Sequence, residues 1–251
     1  MIGLVSADTD TASVLLSRIT AREAPEDGAI LRLQTPHGAV ALAASAGDAC
    51  GLPQGWACYR GAYPGPPRPG DEIRIEGELA GGEPISGTTT VPDPPRLLLR
   101  DGAGAPVADT LRSTELRTPF MELDEPAATG WVSIGGGSAL ADVWVAGARR
   151  TCQARVFETF VDLRYSSFAV GVGEPECEGG TVAWDSLALE VRVDAFDPSF
   201  TSYWERTAGF TQSLFPTEAS WGVEGVFGVF GSSAPRRLVL VVSAVEGVEP
   251  H

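Results

Sequence analysis

Hydrophobic and polar positions alternate most strictly in two stretches of this chain. Across residues 71–79, Ile73, Ile75 and Leu79 share one side with Gly77, while Glu72, Arg74, Glu76 and Glu78 share the other. Across residues 187–194, Leu187, Leu189, Val191 and Val193 oppose Ala188, Glu190, Arg192 and Asp194. A period of two over this length marks a strand with one buried face. Shorter apolar runs predict further strands at 13–19, 29–35, 40–44 and 85–91. The same signal recurs at 96–100, 110–116, 131–134, 140–145, 151–157 and 161–165. Pro36-His37-Gly38 and Gly81-Gly82 supply turns between neighbouring strands.

One stretch changes period. Asp197 precedes Pro198, a capping residue followed by the residue that best tolerates a first helical turn. Phe200, Tyr203, Trp204, Thr207 and Phe210 then recur at helical spacing, predicting a helix over 197–213 with an aromatic stripe turned to the core. Beyond it, residues 221–231 carry glycine at 222, 225, 228 and 231. A strand with glycines on both faces packs poorly alone, so it is expected to lie close to the helix, with at least one glycine where a side chain would clash. The competing reading is an exposed edge that pairs with a partner protein. Residues 236–245, with five apolar residues in a row from Leu238, read as a strand buried on both faces.

These elements predict an all-β protein of two β-sandwich domains. Pro92-Asp93-Pro94-Pro95 is a stiff connector that continues neither helix nor central strand. It divides an immunoglobulin- or fibronectin-like sandwich at 1–92 from a larger β-sandwich at 96–251, which would hold the helix and the glycine-rich strand. The thirty glycines and nineteen prolines agree with many short elements joined by turns.

Charge narrows the function classes. A net charge of −15 repels a phosphate backbone and an anionic membrane surface, so no nucleic acid is expected as a partner. The chain contains no lysine, which removes Schiff-base chemistry, and no asparagine, which removes N-glycosylation. His37 and His251 are the only imidazoles. One falls in a turn and the other ends the chain, a poor basis for a catalytic triad. The carboxylates are too many for counting to single out a glycosidase pair, and Asp8-Thr9-Asp10 lacks the glycine and distal glutamate of a calcium loop. No catalytic residue, cofactor or metal site is therefore assigned.

The four cysteines fall as Cys50/Cys58 and Cys152/Cys177, in no zinc-type spacing. Two local disulfides are the leading reading, buried free thiols the other. Disulfides place the chain outside the reducing cytosol, although residues 1–20 do not read as a secretion signal, so a leader is expected to be missing from this form of the chain. No run is long enough to span a membrane as a helix. Trp56 lies within the Cys50–Cys58 loop and Tyr59 and Tyr63 follow it; these three are the candidate ligand-binding residues, able to stack on sugars or hold a peptide side chain if exposed. Anchoring of the loop to the core is the alternative.

Gly70-Asp71-Glu72-Ile73-Arg74-Ile75, the glycine turn at 81–82 and Thr88-Thr89-Thr90-Val91-Pro92-Asp93-Pro94-Pro95 form one series of motifs. A second follows late in the chain, where Tyr203-Trp204 precede Gly225-Val226-Phe227-Gly228-Val229-Phe230-Gly231. This order resembles the Bacteroidota-type outer-membrane lipoproteins grouped as domain-of-unknown-function family 4249. The leader and lipidated cysteine of that family are absent from this chain. The resemblance implies an exported, envelope-associated protein near an outer-membrane TonB-dependent transporter, with no assigned catalytic residues and with a lipid anchor on the missing leader. Three functional expectations follow, in order: a non-enzymatic envelope protein that binds a partner or ligand, a carbohydrate-binding module, and a glycoside or peptide hydrolase.

Overall fold

The computed structural model describes residues 1–7, 9–18, 24–45, 56–100, 105–118, 121–124, 132–134, 137–157, 159–161, 167–181, 183–207 and 220–243. Within them the chain is all-β, with one ten-residue helix at Pro198–Thr207. Two compact units emerge. The first comprises Met1–Pro94 with Phe196–Ala234, the second Pro95–Ala195 with Pro235–His251.

In the first unit, Glu72–Glu78 pairs on one side with Ile30–Thr35 and on the other with Pro84–Thr90. Gly38–Ser45 extends this sheet beside Ile30–Thr35, and Val223–Glu224 closes its other edge against Ser86 and Gly87. The far end of Gly38–Ser45 also pairs with Ala57–Ala62, which joins Thr11–Arg18 and then Ile2–Ser6. One strand thus takes part in both layers of the unit. Leu31, Leu33, Ile73, Ile75 and Ile85 from one layer meet Val14, Leu16 and Tyr59 from the other in a single core. The alternation over residues 71–79 is realised as expected, with Ile73 and Ile75 buried and Glu72, Arg74, Glu76 and Glu78 exposed.

The chain divides differently from the contiguous halves expected at the proline connector. Residues 196–234, assigned from sequence to the second domain, belong to the first unit. The reason is strand pairing: Val229–Ser233 runs parallel to Ile2–Ser6, and Val223–Glu224 pairs with the Pro84–Thr90 strand. Neither partnership leaves a local sequence signal, because the paired segments lie far apart in the chain.

The helix starts where expected and is described to Thr207; residues 208–213 of the expected helix lie outside the described region. Asp197 caps it: Oδ1 accepts the Phe200 amide at 3.1 Å and Oδ2 the Ser199 amide at 3.3 Å. Phe196 stacks on Phe200, with ring centroids 4.6 Å apart, and Tyr203 meets Trp221 edge-on at 5.4 Å. The aromatic stripe therefore contributes Phe200 and Tyr203 to packing. Phe210 lies outside the described residues, as do the side chains of Trp204 and Thr207.

The glycine-rich segment packs closely, as the first of its two readings requires. A β-carbon on Gly231 would stand 2.5 Å from Asp197 Oδ1 and 2.9 Å from Phe200 Cβ, so the helix start could not approach a larger residue. Gly228 has φ +130° and faces the Met1 backbone closely enough that a β-carbon would overlap the carbonyl. Residues 228–243 form one continuous strand, whose second half is the expected strand as far as Ser243; residues 244 and 245 lie outside the described region. That half alternates rather than being buried on both sides: Leu238, Leu240 and Val242 are buried, while Val239 is 41% exposed.

In the second unit, Gly137–Val145 and Ala148–Val156 form a hairpin turning at Ala146-Gly147, both with positive φ as a two-residue turn requires. Ser186–Phe196 pairs with the first of these strands. Thr110–Ser113 runs parallel to Val239–Val242. Leu97–Arg100 and Met121–Leu123 belong to a small separate sheet. Ala141, Val143, Leu187, Leu189, Val191 and Leu240 fill the core. Cys152 is bonded to Cys177 with Cα atoms 4.4 Å apart, tying the second hairpin strand to the short Glu176–Cys177 strand. Cys58 is also disulfide-bonded, while Cys50, its expected partner, lies outside the described residues.

Candidate functional site

Of the three candidate aromatics, Tyr59 and Tyr63 are buried in the core. Ala57–Ala62 is a strand rather than a loop, and its pairing with Thr11–Arg18 turns Tyr59 into the core at 1% exposure. The Tyr59 hydroxyl donates to the Glu26 carbonyl at 2.7 Å and accepts the Ala29 amide at 2.9 Å. Burial raises its pKa, a shift opposed by the Ala29 bond and reinforced by Glu26 and Asp27. Tyr63 is buried as well, its hydroxyl without a hydrogen-bond partner among the described residues, and burial pushes its pKa strongly upwards. Trp56 is half-buried. A sugar or peptide has no access to the two tyrosine rings, which anchor this segment to the core. Residues 46–55 of the cysteine loop lie outside the described region.

His37 occupies the predicted turn, with Nε2 3.5 Å from Asp71 Oδ2. No hydroxyl or thiol stands in hydrogen-bonding distance of that ring among the described residues, and His251 lies outside them. No cluster of three or more His, Cys, Asp or Glu that could hold a metal ion occurs among the described residues.

A concave feature lies on the first unit, over the exposed side of its sheet. A cleft of about 650 Å³ has Arg74, Glu76, Ser86 and Thr88 as floor and Ser220, Gly222 and Glu224 as wall. Strand register places these groups. Arg74 lies opposite Thr88, and Ser86 has Glu76 on one side and Glu224 on the other. Glu76 and Glu224 are thus two strand spacings apart, roughly 9.5 Å between Cα atoms.

The wall is held from behind by the helix. Trp221 sits between the cleft residues Ser220 and Gly222 and packs against Tyr203. Ser199 stands so near Gly222 that a β-carbon there would meet its hydroxyl at 2.8 Å. Beneath the floor, Asp197 binds three segments of the unit. Its Oδ2 accepts from the Thr89 hydroxyl at 3.0 Å, and its Oδ1 also accepts the Ser232 amide at 3.1 Å. Ser232 Oγ lies 2.8 Å from Thr89 and donates to the Thr90 carbonyl at 2.8 Å. Burial raises the Asp197 pKa despite four donors that favour its charged form.

Charge in the cleft is unevenly matched. Arg74 is neutralised by Glu72, whose Oε1 accepts from its Nε at 2.7 Å and lies 2.6 Å from its Nη2. Glu76 and Glu224 make no hydrogen bond or ion pair among the described residues, nor does Arg32, the next residue in the row beyond Glu76. The floor was legible as the polar side of an alternating strand. The wall was not, since nothing in residues 220–224 signals that they fold over the strand carrying Ser86 and Gly87, far earlier in the chain.

A scan against protein-family models finds no match to this chain, and a search of the curated proteins finds none either.

Proposed function

We propose that this chain is a non-catalytic binding protein of the cell envelope and that the cleft over Glu72–Glu78 and Pro84–Thr90 is its recognition site. The observation that carries the reading is the cleft itself: a concavity on a paired sheet, lined by carboxylates, hydroxyls and one guanidinium in fixed register. Polar groups held by strands fix the orientation of a ligand better than groups on loops. The lining offers no imidazole and no thiol to act as base or nucleophile. The Cys152–Cys177 bond suits an oxidising compartment, in keeping with export, and no described helix is long and apolar enough to cross a membrane. The resemblance of the motif order to that of the envelope lipoproteins is the ground for placing it beside an outer-membrane transporter.

Replacing Ser86 by tryptophan fills the floor without touching the core, because Ser86 is exposed. Thermal-shift screening of the full chain and of Ser86→Trp, against one library of short peptides and oligosaccharides, tests the site. Hits on the parent that vanish in the variant support the cleft; hits of equal size in both overturn it. Turnover of a peptide or glycoside pool that survives repurification would overturn the non-catalytic reading.

A further inference from the structure

We infer that Ser220–Glu224 is a strap that swings away from the Pro84–Thr90 strand while the rest of the first unit stays folded. Its movement reshapes the cleft whatever the cleft binds. The strap's attachments are few. Ser220 and Trp221 lie beside Gly228 and Val229, and Val223 and Glu224 beside Gly87 and Ser86. Between these pairs the Thr88 amide donates to the Gly222 carbonyl at 3.1 Å. Val223 is the one buried side chain of the five, and half-buried Trp221 rests edge-on against Tyr203. The floor is held more firmly, since Pro84–Thr90 pairs with Glu72–Glu78 at seven positions. Segments with few buried apolar contacts and few ladder bonds open at a free energy below that of global unfolding.

Two features make that opening local. The strap bends at Gly222, with φ +66°, and is followed by Gly225, with φ +83°. Glycines on both sides of Val223–Glu224 can change backbone conformation without moving a side chain. Behind the strap, the strands on either side of it are joined to each other directly. Ser232 Oγ donates to the Thr90 carbonyl at 2.8 Å and lies 2.8 Å from the Thr89 hydroxyl. Asp197, 3% exposed, accepts from both the Thr89 hydroxyl and the Ser232 amide. This buried network keeps Pro84–Thr90 and Gly228–Ser243 together when the strap leaves. The opened form frees the Thr88 amide and parts Ser220, Gly222 and Glu224 from the cleft floor.

Native-state hydrogen exchange of the full chain in low urea, read residue by residue by NMR, tests the strap. The Thr88 amide is expected to exchange about tenfold or more faster than those of Ile73 and Ile75, with little dependence on urea, while theirs accelerates steeply. If all three exchange alike and rise together with urea, the strap opens only on unfolding and the idea falls. Val223→Ala weakens the closed form and should accelerate Thr88 by about tenfold; an unchanged Thr88 rate overturns the strap. Asp197→Ala separates strap from scaffold. The network it breaks is present in the closed and open forms alike, so Ile75 should accelerate by about thirtyfold and Thr88 by less than about threefold. Thr88 accelerating in step with Ile75 means that strap and network part together, which overturns local opening. Should Asp197→Ala fail to fold, the urea profile of the parent and Val223→Ala decide the question without it.

Discussion

In the second unit, Arg149 donates to Asp142 at 2.6 Å, Arg237 to Glu190 at 2.6 Å, and Arg192 holds Asp194 with two bonds of 2.7 Å. In the first unit, Glu76 and Glu224 occupy an equally polar sheet face and are tied to nothing described. The two faces come from strands of similar alternation, so their sequences alone would be read alike. What separates them is cross-strand register. Asp142 lies opposite Thr151 with Arg149 two residues along the partner strand, whereas Glu224 faces Ser86 and Glu76 lies between Ser86 and Arg32 without an ion pair among the described residues. Matched charges make a solvated exterior, while unmatched ones in a concavity leave interactions for a ligand. The buried supports differ as well: a disulfide braces the second unit, a carboxylate network the first.

The contrast breaks most sharply at the glycine-rich strand, which only the first unit uses for close packing. Gly228→Val combines overlap with the Met1 backbone and a φ of +130° that L side chains rarely adopt. It should cost about 3–5 kcal/mol, lowering the melting temperature by roughly 10 °C or leaving the first unit unfolded. Calorimetry that finds the variant melting like the parent would restore the edge-strand reading.

Removing the Cys152–Cys177 bond acts on the other unit. The 25-residue separation corresponds to about 3–3.5 kcal/mol of loop-closure entropy. In the Cys152→Ala, Cys177→Ala double variant, hydrogen exchange is expected to accelerate in Leu187–Val193 and not in Ile73–Ile75. Equal acceleration in both would mean that the units do not unfold independently.

Asp197→Ala strips partners from three amides and a hydroxyl, a loss of about 2–3 kcal/mol; Asp197→Asn should cost less, because it can still cap the helix. The raised pKa sets the pH dependence. A carboxyl that holds its proton more tightly folded than unfolded contributes stability fully below about pH 4, and this is lost as pH rises through the folded value. Denaturant midpoints should therefore show the parent gaining on Asp197→Asn as pH falls from 7 towards 4. A gap that narrows instead would reverse the assigned direction.

The two core tyrosines sharpen the correction to the aromatic platform. Tyr59→Phe loses two hydrogen bonds and should cost about 1–2 kcal/mol, whereas Tyr63→Phe removes an unpaired buried hydroxyl and should be neutral or stabilising. Both phenols are raised above their ordinary pKa, so their contribution holds below about pH 10 and is lost as pH rises beyond it. Absorbance titration should show them ionising only with unfolding. The smallest effect is expected at the paired face: breaking Glu190–Arg237, both half-exposed, should change stability by at most about 0.5 kcal/mol. A larger loss would mean that the matched charges are structural after all.

Local chemistry made much of the fold legible. The alternation of 71–79 and 187–194, the Asp197-Pro198 start, the 81–82 turn and the Cys152/Cys177 pairing each depend on residues near in sequence, and each appears where expected. Ala57–Ala62 was missed because a strand beside a cysteine loop, with Tyr59 turned inward, carries no period-two signature of its own. The candidate site divides along the same line. Its floor was written in the polar half of an alternating strand, and its wall was not. Only tertiary structure decided that Val223–Glu224 closes the edge of Pro84–Thr90, that Val229–Ser233 lies beside Ile2–Ser6, and that Glu76 and Glu224 flank one serine. Sequence determines which face of each strand is buried, because hydrophobic period is local; it leaves open which distant strand is the neighbour, because pairing depends on backbone groups that every residue shares.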